Sequence, residues 1–522
     1  MASFQENTIA QEHVSFPRLL FLKRLSRDTK IGLALLVALF VYFLLTSSGN
    51  EYSLPGMEYF QTARQLIGHG TIFFNPPLRW GDANFETANL GIGMTLVYLP
   101  ALVPWRILRP DLFATNFFNP KLAYDNRYIV NDLYQYASWT NPLITALACA
   151  ILFFVCRRQG LSARWSALAA LVCGIASPMA PYAKYDYSQP LMGLALIGSL
   201  WLLLRGLDKG GIGNWLGAGL FLAFGISARF ELILVVPLYA LILLWYPTFT
   251  LALPIHWREK IRPIVLFAAG AGLGVVTYLL VNYVRYGSPF DFGYADTFGS
   301  HSGIIGIVGN MVSPGRGLVV FFPVALLSFV GLGQRVMRLN IVAISLAILM
   351  LGYYILYSGV WIGWFSGWAW GPRYMIPFMP FLSMYAVMWL ANQKFVWNRR
   401  SVLFAGLVAV SWVITLNGIL FDFLDYYSKL YTHVVADAVM GTEHLTLEAS
   451  PLFTGWDWSH GLEGLDLYWI NPTRSVINFT HWFGLGVLLA IFAAAVIALA
   501  RWLDVLPQEI GSDAPNVQTQ PS

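Results

Sequence analysis

Apolar residues run along this chain in blocks separated by short polar or basic turns. A block of about 20 residues is what an α-helix needs to cross a hydrocarbon core of ~30 Å. Blocks of that kind are expected to form spans over 31–47, 138–156, 163–183, 189–206, 212–228, 229–246, 263–284, 318–334, 339–359, 374–392, 400–421 and 478–502. The run from 212 to 246 overshoots one crossing and is divided at Arg229-Phe230-Glu231, because charges belong at an interface. The block 88–107 is apolar too, but Gly91, Gly93, Pro100 and Pro104 make it a poor straight helix. It is assigned to the outer interface as a non-crossing element. The expected fold is all-α and polytopic, with about twelve transmembrane helices and interfacial helices on a long first outer loop.

Lysine and arginine near span ends set the orientation. Basic residues gather at Lys23–Lys30, Arg157-Arg158 with Arg164, Arg205 with Lys209, and Arg258-Lys260-Arg262. Arg335 with Arg338, Lys394 with Arg399-Arg400, and Arg501 complete the set. Placing all of these inside gives a consistent alternation and puts both termini in the cytoplasm. Residues 1–30 then form a cytoplasmic amino-terminal segment, and 31–502 a single polytopic membrane domain. Residues 503–522 are expected to be a disordered cytoplasmic tail, polar and carrying Pro, Gly and Ser. The first apolar run starts behind the basic cluster with no small-residue cleavage site after it, so it is assigned as a retained span. The outer face receives 48–137, the turn Tyr182–Pro190, 285–317, 360–373 and 422–477.

Composition narrows the class further. Hydrophobic residues make up 57% of the 522 and charged ones only 11%, with mean hydropathy +0.59. This excludes soluble, disordered and collagen-like chains. The net charge of +5 follows from the basic inner loops and calls for no nucleic-acid partner. Cys149, Cys156 and Cys173 lie in apolar runs without metal-type spacing and are assigned to packing. There is no phosphate loop and no dinucleotide fingerprint, which argues against a sugar nucleotide as donor. No repeat of fixed period stands out, which weakens a transporter reading.

Candidate chemistry therefore lies outside. Glu51 and Glu58 follow the first span; either suits a general base or a metal ligand, while Glu58 also suits the dipole at a helix start. An amphipathic stretch, Phe60–Ile67, is stopped by Gly68-His69-Gly70. The turn Pro181–Pro190 carries Tyr182, Lys184, Tyr185, Asp186 and Tyr187; interfacial tyrosines are common, but a cation and a carboxylate beside them point to a site. Asn282–Tyr294 leads into a loop with Asp296 and His301, the histidine favoured as a plain polar loop residue. That loop ends in Ser313-Pro314-Gly315-Arg316-Gly317, where Arg316 either receives a phosphate or stands solvated in a turn. Trp361, Trp364, Trp368 and Trp370 precede Arg373 and suit either membrane anchoring or a glycan or phosphate site. The last outer loop adds Trp456, Asp457, Trp458, His460, Trp469 and Arg474.

The strings Y-A-K-Y-D-Y-S-Q-P, R-Y-G-S-P-F-D-F-G-Y, S-P-G-R-G-L and G-W-A-W-G-P-R-Y resemble those of a bacterial membrane-protein group placed in the GT-C superfamily. Its members include protein O-mannosyltransferases and lipid A aminoarabinose transferases. The resemblance covers about 31 to 392. It implies transfer of a sugar from a polyprenyl-phosphate donor to a glycan, lipid or protein acceptor, on the outer side of a bacterial inner membrane. It puts the catalytic carboxylate in loop one, with Glu58 preferred and Glu51 in reserve. Asp186 matches the second acidic position, for acceptor positioning or a metal, which leaves a divalent ion open as cofactor. Lys184, Arg316 and Arg373 are assigned to the phosphate, with Tyr182, Trp368 and Trp370 on the substrate surface. One departure stands out: eight residues before Ala63-Arg64 the superfamily has an Asp, and this chain has Pro55. The rival readings are a transporter or flippase of a lipid-linked or polar substrate, and a catalytically silent relative.

Overall fold

The computed structural model describes residues 25–80, 83–114, 133–252, 256–293, 303–361, 363–367, 369–391, 398–424, 426, 442–470 and 479–505. Among the described residues, eight helices are long and apolar enough to cross a membrane: Arg27–Leu45, Tyr134–Arg158, Gln189–Lys209, Trp257–Tyr286, Ile341–Val360, Arg373–Ala391, Arg399–Leu420 and Phe479–Trp502. The chain is an integral membrane protein. Six shorter apolar helices accompany them. Four of these, Ala163–Ile175, Ile212–Ala228, Phe230–Trp245 and Ala325–Met337, coincide with the remaining expected spans, and Gly93–Leu108 and Gly303–Val312 do not.

Prolines shape several of these elements. The expected 163–183 block is two helices, Ala163–Ile175 and Met179–Lys184, with Ser177-Pro178 between them. Pro323 likewise separates Leu318–Phe321 from Ala325–Met337. A proline cannot donate to the preceding turn and clashes with it, so the helix restarts. Within Gly93–Leu108, Pro100 and Pro104 are carried inside a continuous helix, contrary to the sequence expectation. Each removes one backbone donor, a loss that packing against neighbouring helices tolerates. Gly91 and Gly93 serve that packing. A Cβ on Gly91 would stand 2.2 Å from the Ser227 carbonyl oxygen, and one on Gly93 2.5 Å from the Ala228 nitrogen.

The segment after the first long helix also holds an element that an all-α reading does not include. Phe73–Trp80 and Ala83–Thr87 pair antiparallel, with Leu78 opposite Phe85 and Trp80 opposite Ala83. Pro76-Pro77 bars a helix there, and the aromatic residues favour an extended chain.

Ion pairs collect the basic ends of the bundle. Arg157 bonds Asp28 at 2.9 Å, and Arg27 pairs with Asp504 and Arg158 with Asp208. Arg164 donates to the Leu503 carbonyl at 2.9 Å. The start of the first helix, the 157–164 turn and the end of the last helix thus share one end. Helices Trp257–Tyr286 and Phe479–Trp502 expose most of their apolar surface, including Val265, Leu273, Leu489 and Ile491, as lipid-facing helices do. Cys149, Cys156 and Cys173 are buried and free.

Candidate functional site

At the opposite end of the bundle, loop one begins with Ser53 as the N-cap of helix Leu54–His69, its hydroxyl accepting the Gly56 N–H at 2.9 Å. The same hydroxyl donates to Asp186 Oδ1 at 2.8 Å, and Asp186 Oδ2 accepts the backbone N–H groups of Tyr52 (3.0 Å) and Ser53 (3.3 Å). It is Asp186, rather than Glu58, that sits at the amino end of this helix, where the dipole and free N–H groups favour an anion. Gly56 makes room for it, since a Cβ there would stand 2.0 Å from the Asp186 carboxyl carbon. Burial pushes the Asp186 carboxyl up to about 6, against the pull of these donors.

The two loop-one glutamates are both buried, and they are held differently. Glu51 Oε1 has no hydrogen-bond partner among the described residues. Its carboxyl is driven well above the ordinary range by burial and by the Asp186 charge, with Arg64 opposing. Glu58 Oε2 accepts the Asn89 N–H at 3.0 Å. Burial pushes Glu58 up to about 7, and the Asn89 bond and the charges of Arg285 and Arg229 hold it from going higher. A carboxyl poised near neutrality is what general-base work requires. Arg285 in turn donates to the Leu90 carbonyl, which anchors the segment that bonds Glu58.

A cavity of about 1000 Å³ opens beside this cluster. Pro55, Leu90 and Gly91 of loop one form one wall, Arg229, Phe230 and Glu231 another, and Ser288–Phe292 a third. The aromatic turn closes it with Trp361, Phe365, Ser366, Arg373 and Tyr374. Arg373 stacks over the Tyr187 ring at 4.1 Å, donates to the Ser366 carbonyl at 3.3 Å, and keeps a buried Nε without a partner among the described residues. Arg229 donates to Ser188 Oγ at 3.4 Å. Glu231 accepts the Tyr357 hydroxyl, which the π-turn Leu356–Val360 carries to the cavity wall. Two guanidiniums, two carboxylates (Glu231 and Asp291) and several aromatic faces therefore line one space. That combination suits a ligand with an anionic group and a polyhydroxylated ring.

The other sequence-predicted residues have different settings. Lys184 is enclosed, with 2% of its side chain exposed, and pairs with Asp466 at 2.7 Å. Arg316 is fully buried and donates to the Gly367 carbonyl (2.6 Å) and that of Ala369, clamping the aromatic turn. Tyr182 donates to the Trp370 carbonyl at 2.9 Å, and the Trp370 indole donates to Asn417 Oδ1 at 3.0 Å. None of these four lines the cavity. Trp368, Asp296, His301 and Arg474 lie outside the described residues. Among the described residues no group of three or more His, Cys, Asp or Glu side chains could hold a metal ion.

Sequence reasoning did not assign Arg229, Glu231, Arg285 or Asp466 to the site. Two charges inside an otherwise unbroken apolar run mark Arg229 and Glu231, and by sequence alone they read as a span boundary. Asp466 carries no local signal.

No protein-family model matches the chain, and no curated protein matches it. Several solved structures are similar to it at low identity. ArnT from Cupriavidus metallidurans bound to undecaprenyl phosphate is 15% identical, with TM-score 0.44 over 91% of this chain and 75% of that one. The oligosaccharyltransferase AglB from Archaeoglobus fulgidus, in complex with an inhibitory peptide and a dolichol-phosphate, is 11% identical, with TM-score 0.43 over 85% of this chain. The apo form of the Archaeoglobus fulgidus enzyme gives 10% identity and TM-score 0.47 over the same share. This chain spans 64% of the length of the oligosaccharyltransferase.

Proposed function

We propose that this chain is a GT-C-type glycosyltransferase that moves a sugar from a polyprenyl-phosphate donor to a glycan, lipid or protein acceptor. The observation that carries the reading is the cavity, which brings Arg229 and Arg373 together; Glu58 stands behind its Leu90 wall, bonded by the Asn89 N–H and within reach of the Arg229 charge. In the reaction the acceptor hydroxyl attacks the anomeric carbon, the bond from that carbon to the phosphate oxygen breaks, and the polyprenyl phosphate leaves. Glu58 takes the hydroxyl proton, with Glu51 in reserve, and the two arginines stabilise charge on the departing phosphate. Lys184 and Arg316 act one layer behind, holding the loops.

The eight long helices and four of the shorter ones support about twelve spans. Both termini are then cytoplasmic and the cavity faces the periplasm of a bacterial inner membrane. Gly93–Leu108 and Gly303–Val312 lie on the outer side without crossing. A transporter reading needs charges along a path through the spans. Arg229 and Glu231, the nearest candidates, stand at a helix break on the cavity wall, which favours the enzyme. Incubating the purified protein with a panel of radiolabelled polyprenyl-phosphate sugars tests this. Consumption of one donor is expected, and failure to bind or consume any of them would overturn the reading.

A further inference from the structure

Behind the cavity, Asp466 of the last outer loop reaches both segments that flank the Asp186 carboxylate. Its Oδ2 accepts the Tyr52 hydroxyl at 2.5 Å and the Lys184 ammonium at 2.7 Å. Lys184 also donates to the Ile419 carbonyl at 2.7 Å and stands 5.5 Å from the ring centres of Tyr52 and Tyr185. Tyr52 is held at both ends, for its hydroxyl meets Asp466 while its backbone N–H meets Asp186. The last loop is fastened on either side of this point. The Asp466 N–H bonds the Leu420 carbonyl at 2.8 Å, and the Tyr468 N–H bonds the Ser47 carbonyl at 2.9 Å.

We propose that Asp466 is a positioning residue for the site: with Lys184 it fixes Tyr52, and through the Tyr52-Ser53 backbone it fixes where Asp186 and Glu51 stand. None of Asp466, Lys184 and Tyr52 lines the cavity, and each is tied to the site through the groups it bonds. A buried ion pair of this kind is weak evidence for stability, because apolar side chains of similar volume would fill the space as well. What apolar packing cannot do is hold one tyrosine hydroxyl and one ammonium to a single carboxylate oxygen. That geometry defines one register between the last loop and loop one. A misplacement of about 1 Å in a catalytic group costs on the order of 100-fold in rate, so the register bears directly on turnover. Besides the donors from Tyr52 and Ser53, the titratable groups that feel Asp186 are Glu51, Tyr98, Tyr134 and Tyr187.

The catalytic consequence rests on the proposed transferase reading, so the test has two arms. The full chain in lipid nanodiscs is compared with Tyr52→Phe, Asp466→Asn and the double variant Asp466→Leu/Lys184→Met. In the first arm, infrared spectroscopy follows the protonated-carboxyl band that Asp186→Asn removes. Its midpoint is expected near 6 in the native chain and about one pH unit higher in the variants, where the backbone donors are no longer held on the carboxylate. In the second arm, transfer from the radiolabelled donor is expected to fall about tenfold or more in kcat, with KM and undecaprenyl-phosphate binding unchanged. A double variant with native band midpoint and native kcat would overturn the proposal. If the native chain transfers nothing, the transferase reading fails and the infrared arm decides alone, a shift supporting positioning and no shift refuting it. Tyr52→Phe, which keeps ring and backbone, decides if the charge variants do not fold.

Discussion

Glu51 and Glu58 are chemically equivalent in sequence, and their surroundings differ. Glu58 is anchored by one backbone N–H and faces two arginine charges, whereas Glu51 has a bare oxygen beside Asp186. Glu58→Gln is expected to lower transfer by about 10²–10⁴-fold while leaving undecaprenyl-phosphate binding intact. Full activity in both Glu58→Gln and Glu51→Gln would end the carboxylate-base reading. The pH profile follows from the same residue. Its carboxyl is raised to about 7, so the base form is scarce below that pH and kcat should climb as pH rises through it. An activity limb that stays flat between pH 6 and 8 would contradict this, since ~1 pH unit on each side of a controlling group spans most of its titration. On the phosphate side, Arg229→Ala and Arg373→Ala should each weaken donor binding by about 1.5–3 kcal/mol, the usual worth of a charge-assisted hydrogen bond, measured by tryptophan fluorescence. The carboxylates could be picked out from sequence by their place in an outer loop. Arg229 could not, because a charge at a span boundary looks the same whether it faces lipid headgroups or a substrate cavity.

The helix Leu54–His69 carries the site, and its start is where local signals proved most telling. Ser53 and Pro55 are an N-cap and a first-turn proline, although the apolar pattern alone begins only at Phe60. Gly56 is not there for flexibility; it leaves the space that the Asp186 carboxylate fills. Gly56→Ala should displace that carboxylate and, as an overpacked position, cost about 1–3 kcal/mol. Thermal unfolding in detergent would register the loss, together with a fall in transfer. A stable and fully active Gly56→Ala protein would mean that Asp186 can stand elsewhere without penalty. The proline-interrupted helices and the hairpin were not expected, although Pro178, Pro323 and Pro76-Pro77 mark their places in the sequence. Which prolines a helix absorbs, as Pro100 and Pro104 are absorbed, depends on neighbours that no local window contains.

Across the protein as a whole, the ion pairs Arg157–Asp28 and Arg27–Asp504 gather the basic ends, and the carboxylates and cavity gather at the other. Cysteine substituted at Asp111, exposed beside Arg109, should therefore react with an impermeant maleimide from the side opposite to cysteine at Arg157. Labelling of both positions from one side would overturn the topology and turn 88–107 into a crossing. The alternation of apolar blocks and basic turns is what motivates this arrangement, because the bilayer selects length and charge segment by segment.

The apolar stretches long enough to cross a membrane and the clusters of basic residues could be read from sequence, because each rests on properties of a contiguous stretch. Contacts between distant stretches could not. Asp466 and Lys184 are separated by 282 positions, and Tyr52 and Asp466 by 414. Only helix packing brings them to one carboxylate. The same packing spends Lys184 and Arg316 on holding loops and leaves Arg229 and Arg373 on the cavity wall. A cation's role is set by what stands within about 4 Å of it, and in a folded chain those neighbours come from elsewhere in the sequence.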